Sequence, residues 1–413
     1  MKIGLVVTGG LHPSGRHEVI PALLWLAERL ARTHELHAFV LRHLPEATTY
    51  QLHGATVHDL GRPEGRLRQW RALMRALRKQ GPFDVLHGYW VDPAGVTAAL
   101  AGRQLGIPTI VCCDSGEFAN LPDIGYGLQR TLKGRAVVTS ACRLATAVHV
   151  ASQYTAARAR THGIDPVVIP LGVDLARVPH HSLAADGPPW RLLQVAALSP
   201  VKDQQTMLRA LAIVRVTHPV HLDLVGVDTM QGAVAAQATQ LGVADCVTFH
   251  GAVSFDELDR FRRSAHVYVQ SSRHEAAGVA VLEAAAAGLP IVGTNVGFVS
   301  DWADTMAVAV PPGDHEALAA AILRTFGDRS RRAQLADAAR QWAVAHDVRY
   351  TAAALTRSSC ISATRLPPFP RLREEEGWES CASPERVRAP SPSGCCASRA
   401  RFLGKVGPRK SLT

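Results

Sequence analysis

The sequence lacks the long apolar segments that membrane-spanning proteins need. No run of about 18 apolar residues occurs among its 413 residues. The opening stretch MKIGLVVTGG has only about five apolar residues before a glycine pair, too few for the apolar region of a signal peptide. Charged residues make up only 19% of the chain and apolar residues 47%. These proportions are typical of α/β proteins with sizeable cores, and we expect a cytoplasmic protein.

Patterns for binding metals or nucleic acids are also missing. The eight cysteines show no metal-ligand spacing, and no Asp-x-Asp pair occurs. A net charge of +10 is a feature of many polyanion-binding proteins. However, the residues from Ser358 onward hold ten Lys and Arg against five Glu, so the rest of the chain carries only about +5. This modest excess suits a phosphate-bearing ligand and is compatible with peripheral contact at the inner membrane face, but it does not indicate nucleic acid.

The length suits two domains of about 170–200 residues each. Strand and helix patterns alternate along the chain, which predicts parallel sheets with right-handed crossovers. We place an N-terminal domain at 1–180, a hinge of linker composition at 181–190 and a C-terminal domain at 191–345. A closing helix is predicted over 346–357. Residues 358–413 are rich in Pro, Ser, Arg and Cys and follow neither structural period, which predicts a disordered tail; a shifted reading frame is an equal alternative.

One stretch, 271–294, combines a polar elbow, a helix and a second strand. The helix is predicted to open near Gly278 and to close at Gly288, because glycine followed by proline commonly ends a helix. Glu275 lies before the helix and Glu283 lies inside it, more than one turn deeper, so the two carboxylates can contact different parts of one elongated ligand. Amides that point out of a helix N-terminus suit a phosphate, and here they belong to Ala277, Gly278 and Val279.

This arrangement resembles the E-x7-E signature of retaining glycosyltransferases of family 4, also called group 1. That family has the α/β GT-B fold, in which two Rossmann-like, doubly wound domains face each other across a cleft. The resemblance spans about residues 1–357. In the family the first Glu binds hydroxyls of the donor sugar, the second binds the nucleotide ribose, and the amides between them hold the diphosphate. The resemblance therefore implies these roles for Glu275, Glu283 and the backbone of 277–279.

Further donor-binding candidates follow from the same resemblance. Lys202 matches the Lys of a loop that neutralises the diphosphate in the family, while Ala197 stands where the loop usually has Arg. Arg273 and Arg16 are candidates to replace that missing cation. A glycine-rich loop after the first strand faces the cleft in the family, which adds Gly10 to the candidates. Glycines let a backbone approach an anion closely, although the dinucleotide-binding spacing is absent here.

The acceptor side is expected on the N-terminal domain. An Asp-Val-Leu-His run ends at His87 and is followed by Trp90, at a strand end of the kind where open α/β sheets bind ligands. Family members often place a His at the end of the next strand, but here the matching residue is Asp114. We expect Asp114 to orient the acceptor hydroxyl, with Glu117 close by; the alternative is a site with weakened chemistry.

The resemblance implies transfer of a sugar from a nucleotide-diphosphate donor to a hydroxyl of a glycan, lipid or small-molecule acceptor, with retention of configuration. Asp114, Lys202 and Glu275 are the expected catalytic residues, and no metal or cofactor is expected besides the nucleotide-sugar substrate. An alternative is a degenerate homologue or partner subunit that binds nucleotide sugar without turnover, in line with Ala197, Asp114 and Phe298, which replaces a family Gly. An epimerase or phosphorylase on the same fold is a third candidate.

Overall fold

The computed structural model describes residues 1–364, which contain fourteen strands and thirteen α-helices. The strands are β1 (Lys2–Val7), β2 (Glu35–Val40), β3 (Ala47–Leu52), β4 (Ala55–Leu60), β5 (Val85–Tyr89), β6 (Thr109–Cys112), β7 (Ala147–Val150), β8 (Val167–Val168), β9 (Trp190–Val195), β10 (Val220–Val225), β11 (Val247–Phe249), β12 (Val267–Gln270), β13 (Ile291–Thr294) and β14 (Val308–Val310).

Helices separate most of these strands, as the crossovers of a parallel sheet require. They are α1 (Pro21–Ala31), α2 (Arg66–Gln80), α3 (Val96–Leu105), α4 (Leu132–Leu144), α5 (Gln153–Thr161), α6 (Gln204–Val214), α7 (Ala233–Gln240), α8 (Leu258–Ser264), α9 (Val279–Ala287), α10 (Gly297–Asp301), α11 (His315–Gly327), α12 (Arg329–Ala345) and α13 (Val348–Thr364). Within residues 1–364, none of the helices has both the length and the apolar character needed to cross a membrane.

Two sheets organise the described residues, so the predicted α/β class with two doubly wound domains is confirmed. The N-terminal sheet has the order β3-β4-β2-β1-β5-β6-β7-β8, and the C-terminal sheet has the order β11-β10-β9-β12-β13-β14. Pairing is parallel except between β3 and β4. Helices cover both faces of such sheets, and the central strands are accordingly mostly buried; five of the six residues of β1 are buried.

Two elements of the N-terminal domain differ from the sequence prediction. Helix α1 begins at Pro21 rather than near Arg16, because proline favours the first helical position, where its missing N–H is not needed. Strand β3 was not predicted. It forms an antiparallel hairpin with β4 across His53 and Gly54, and only Leu52 of its six residues is buried, so its apolar pattern is weak.

Helix α13 follows the C-terminal domain in sequence but packs on the N-terminal domain. Thr351 lies in its first turns, and the Thr351 hydroxyl donates to the carbonyl of Pro170 at 2.6 Å. The same oxygen accepts a hydrogen bond from the N–H of Gly172 at 2.9 Å. The chain thus returns to the domain in which it began.

The end of α13 corrects the predicted boundary of the tail. The helix continues to Thr364, and Ser359 Oγ lies 3.0 Å from Nε2 of the buried His87. Residues 358–364 therefore belong to the closing helix, which composition alone did not indicate. The rest of the predicted tail, 365–413, lies outside the described residues.

The N-terminus of α5 joins the two domains. Thr155 Oγ1 donates to the carbonyl of Ala276 at 2.7 Å. Asp301, at the end of α10, accepts hydrogen bonds from the backbone N–H groups of Gln153 and Tyr154 at 2.7 and 2.8 Å. A carboxylate satisfies the free N–H groups of a helix start and interacts favourably with the helix dipole. Asp301 thus caps a helix of the opposite domain.

Candidate functional site

The segment 271–294 folds as predicted, with β12, a loop, α9 and β13 in succession. Gly278 precedes α9 and Gly288 follows it, with φ angles of 95° and 89°. Both angles lie in the left-handed region that only glycine adopts readily. In addition, a Cβ on Gly278 would lie 3.1 Å from Oε1 of Gln270. The two glycines therefore set where the helix begins and ends.

A cavity of about 280 Å³ opens in front of the first turn of α9, with walls from both domains. The lining from the C-terminal domain includes residues 275–280 and Lys202. The lining from the N-terminal domain includes Ile20, Trp90 and Asp114. The predicted residues that the structure brings together on this cavity are Trp90, Asp114, Lys202, Glu275, Ala277, Gly278 and Val279.

Lys202 and Glu275 form an ion pair inside the cavity. Lys202 Nζ lies 2.6 Å from Glu275 Oε1, and the hydroxyl of Ser272 donates to the same oxygen at 2.7 Å. The hydroxyl of Ser271 donates to the Lys202 carbonyl at 2.9 Å, which holds the lysine loop against the elbow before α9. An ammonium and a carboxylate are thus held side by side next to a helix N-terminus. Such a set can bind a phosphate and a sugar hydroxyl at once.

Asp114 faces the cavity from the end of β6. Burial and, second, the negative charge of Glu117 raise the pKa of Asp114 to about 8. Its Oδ1 atom is buried without a hydrogen-bond partner among the described residues. Glu117 accepts hydrogen bonds from the N–H groups of Ser115 at 2.7 Å and Val91 at 3.2 Å. Glu117 therefore stabilises the loop that carries Asp114 through these hydrogen bonds. It does not line the cavity itself.

Two glutamines on the cavity were not predicted from the sequence. Gln194 and Gln270 lie at or next to the carboxyl ends of β9 and β12 and are 2% and 4% exposed. The Gln194 carboxamide donates to Ser271 Oγ at 3.0 Å. Gln194 Oε1 and Gln270 Nε2 are buried without partners in the described part of the chain. Ligands of open α/β sheets bind at carboxyl strand ends, and that rule is the signal by which both could have been found.

Glu283 lies inside α9 as expected, but its carboxylate is engaged within the protein. Arg262 Nη2 donates to Glu283 Oε2 at 2.7 Å, and both side chains are almost fully buried. Burial raises the pKa of Glu283, while the Arg262 charge acts in the opposite direction. Glu283 is not among the residues that line the cavity.

His87 differs from its expected position on the acceptor side. It is fully buried, and its Nε2 pairs with the hydroxyl of Ser359. Burial lowers the pKa of His87 to about 3, so the ring is neutral. The side chain connects the centre of the N-terminal sheet to α13, and it does not line the cavity, whereas Trp90 does.

The remaining donor-binding candidates lie beside the cavity. Gly10 accepts a hydrogen bond from the N–H of Ile20 at 3.0 Å and so supports a residue of the cavity wall. Arg16 is exposed and does not line the cavity. Arg273 forms an ion pair with Asp123 of the opposite domain, which holds its guanidinium outside the cavity.

A second cavity, of about 270 Å³, lies on the other side of the elbow before α9. Arg273 and His274 line it from the C-terminal domain, and Arg135 and Arg158 line it from the N-terminal domain. Arg158 also lies over the ring of Tyr154, 4.4 Å from the ring centroid. Arg273 is already paired with Asp123, so the positive charge at this opening comes mainly from Arg135 and Arg158, and two guanidinium groups there favour a negatively charged ligand.

Phe298, which replaces a family glycine, is accommodated by an aromatic cluster. Its ring stacks on Trp302 with centroids 5.2 Å apart and meets Trp342 edge-on at the same distance. Its N–H donates to the carbonyl of Ala277 at 2.8 Å, so its backbone still contacts the segment before α9. The substitution leaves the cavity unobstructed, since Phe298 does not line it.

Comparison with known proteins covers both domains. Residues 180–342 match the family model described as glycosyl transferases group 1, and residues 19–172 match a glycosyl transferase 4-like domain. A D-inositol 3-phosphate glycosyltransferase of Acidothermus cellulolyticus is 30% identical over 315 residues, which cover 68% of this chain and 67% of that protein. A glycogen synthase of Mycobacterium tuberculosis is 32% identical over 210 residues, 50% of this chain. The chain spans about half the length of that synthase, 51%.

Several solved structures have the same fold as this chain. A sucrose-phosphate synthase of Thermosynechococcus elongatus superposes with a TM-score of 0.69 at 19% identity, covering 87% of this chain and 99% of that one. The Anabaena protein HepE, solved with UDP-glucose, gives 0.69 at 18% identity, with 87% and 100% coverage. At these identities the likeness establishes the fold alone, which is GT-B. With both domains matched and a relative at 30% identity, the chain belongs to the group 1 glycosyltransferase family.

Proposed function

We propose that this protein transfers a sugar from a nucleotide-diphosphate donor to an acceptor hydroxyl, with retention of anomeric configuration and without a metal. The observation that carries the proposal is the Lys202–Glu275 pair, held at 2.6 Å beside the first turn of α9 in one cavity. Both residues line the cavity, and their side chains are only 28% and 12% exposed, unlike those of an ion pair on the open surface.

The donor diphosphate would lie between Lys202 Nζ and the amides of 277–279. Negative charge grows on the departing diphosphate in the transition state, and a fixed cation together with aligned N–H groups stabilises that charge. The Glu275 carboxylate would then accept hydrogen bonds from the donor sugar. Gln194 and Gln270 have buried unpaired polar atoms on the same cavity, which the donor would satisfy.

The acceptor would enter from the N-terminal domain. Asp114 faces the cavity from that side, and its ionised carboxylate can accept the proton of an acceptor hydroxyl and align the oxygen for attack. Trp90, on the same wall, offers a flat apolar surface for a sugar or polyol ring.

We further propose that the acceptor carries a negative group such as a phosphate. The support is the cavity lined by Arg135, Arg158 and Arg273 next to the elbow. The relatives named D-inositol 3-phosphate glycosyltransferase make a phosphorylated polyol the first acceptor to try. The UDP-glucose of the HepE structure makes a UDP-sugar the first donor.

The test is release of nucleoside diphosphate from UDP-glucose, ADP-glucose or GDP-mannose on mixing with phosphorylated and unphosphorylated polyols. Release that depends on the acceptor is expected, with an unchanged anomeric configuration in the product by NMR. A protein that binds a donor, as seen by a raised melting temperature, but never releases diphosphate would be a binding homologue instead. Release with an inverted product would overturn the retaining assignment.

A further inference from the structure

A second cluster of chemically active side chains lies outside the donor cavity, where the glycine-rich loop after β1 meets the segment after β2. His12 and Glu18 belong to the loop, and His43 follows β2. One ligand atom of each residue lies within 4.8 Å of the ligand atoms of the other two. The three residues follow no motif spacing, and they come together only because β1 and β2 are parallel neighbours that end at the same edge of the sheet.

The centre of this cluster is an unpaired imidazole nitrogen. His43 Nε2 is buried and has no hydrogen-bond partner among the described residues. Its nearest opposite charge is Glu18 Oε2, 3.9 Å away, beyond hydrogen-bond distance. The His12 ring stands edge-on to the His43 ring, with centroids 5.5 Å apart. Buried polar atoms are nearly always satisfied in folded proteins, so this nitrogen points to a ligand between the three side chains.

The His12 ring is held in place by Ser14. His12 Nδ1 lies 2.9 Å from Ser14 Oγ and accepts a hydrogen bond from the Ser14 N–H at 3.2 Å. A metal ion bound at Nε2 would place the ring proton on Nδ1, from which it would be donated to Ser14 Oγ, and a contact of this kind commonly orients a metal-binding histidine. Ser14 is itself fixed in the loop, since its hydroxyl oxygen accepts from the N–H of His17 at 3.0 Å.

We propose that His12, Glu18 and His43 bind a divalent transition-metal ion of the zinc type. Two imidazoles and one carboxylate suit zinc, whereas magnesium and calcium prefer oxygen ligands alone. Metal–ligand bonds of about 2.1 Å place tetrahedral ligands about 3.4 Å apart, so ligand atoms that now lie within 4.8 Å of one another must approach by up to about 1.4 Å. The Glu18 side chain is 73% exposed and therefore free to make that movement.

The ion would fix one wall of the donor cavity without taking part in transfer. Val19 pairs with Gly10 across the base of the same loop, and Ile20, the next residue, lines the donor cavity. His12, Glu18 and His43 do not line that cavity. Binding would tie the loop to the end of β2, and a metal-independent reaction is compatible with it.

The test is a calorimetric titration of the full-length, chelator-stripped protein with zinc chloride. Saturation at one ion per chain is expected from this site. His12→Ala and His43→Ala should each weaken zinc affinity by more than about 100-fold, since even outer-shell changes at metal sites cost 10- to 100-fold. His17→Ala is the matched control, an exposed histidine of the same loop, and should bind as the parent does.

Glu18→Gln provides a variant that cannot fail through misfolding, because the side chain is largely exposed. It should weaken zinc affinity by about 10-fold or more, the carboxylate being one of three ligands. Cobalt(II) offers a second readout, since its visible d–d absorption becomes intense in a tetrahedral protein site and should fall to the weak absorption of the aqueous ion in His43→Ala. Parent-like zinc affinity in folded His12→Ala and His43→Ala, or no saturable binding by the parent, would overturn the proposal.

Discussion

Replacing Asp114 with asparagine tests the acceptor side of the site through its pH dependence. A carboxyl group with a pKa of about 8 is mostly protonated at pH 7, and only its ionised form can accept the acceptor's proton. Acceptor-dependent transfer by the parent should therefore rise about tenfold per pH unit up to pH 8 and then level off. In Asp114→Asn this rise should vanish, and the rate at pH 8.5 should fall by about 100-fold or more with little change in donor affinity.

The same substitution should lower activity but raise the stability of the folded protein at high pH. The pKa of Asp114 is raised from 3.8 to about 8, so the folded protein holds this proton more tightly than the unfolded chain does. The associated stability is complete below about pH 4 and is lost as the pH rises towards 8. The shift corresponds to at most about 6 kcal/mol, and after relaxation of the site we expect about 2 kcal/mol. Asp114→Asn should therefore be more stable than the parent at pH 8.5.

The assay combines initial rates of diphosphate release between pH 5.5 and 9.5 with urea unfolding at pH 5 and pH 8.5. Asp165→Asn is the control, since that side chain is 88% exposed and its partner, Arg160, is also on the surface. The reasoning is refuted if the parent rate shows no rise with pH, or if Asp114→Asn transfers sugar at the parent rate. Asp114 would then be a strand-end residue without a role in transfer.

Substitutions at two positions and a pair of truncations test the donor side, the buried Glu283 and the closing helix. Lys202→Ala should lower turnover more than donor affinity, because its charge matters most as the diphosphate departs; equal losses in the two measurements would mean that it only anchors the donor. Glu283→Ala should lower the free energy of unfolding by urea by about 3 kcal/mol, because Arg262 is left buried without its carboxylate partner. Glu283→Gln retains a hydrogen-bond acceptor and should lose less, so equal unfolding midpoints for the two variants would contradict this. Truncation after Arg357 should lower the melting temperature by several degrees, while truncation after Thr364 should not. Identical melting temperatures for the two truncated proteins would show that the last turns of α13 contribute nothing to stability.

Local signals in the sequence were sufficient to predict the segment around α9. Glycines at 278 and 288 must bound the helix because their backbone is left-handed there, and the small apolar residues between them favour a buried helix. Where the local signal was weak the prediction was incomplete. Strand β3 is mostly exposed and has little apolar alternation. The apolar stripe of α1 did not mark its first residue, which the preference of proline for the first helical position does.

Contacts between distant positions explain what the sequence could not indicate at the site. The partner of Glu283 is 21 positions away on another helix, and the partner of His87 is 272 positions away in the closing helix. Both pairings depend on how separate elements pack, and no spacing pattern encodes them. The pairing of Lys202 with Glu275 has the same character, but each residue also lies in a recognisable motif, so their meeting in one cavity could be expected.

Amide hydrogen exchange with and without a saturating nucleotide sugar tests the central claim most directly, namely that the first turn of α9 holds the donor diphosphate. Exchange reports the protection of individual backbone N–H groups, and the amides of 277–279 are the proposed ligands. Saturation is set by calorimetry with the donor that binds best among UDP-glucose, ADP-glucose and GDP-mannose. We predict that the donor slows exchange in peptides covering 275–283. Exchange in the control peptide 66–80, which covers α2, should not change. Donor binding that leaves the exchange of 275–283 unchanged would contradict the account.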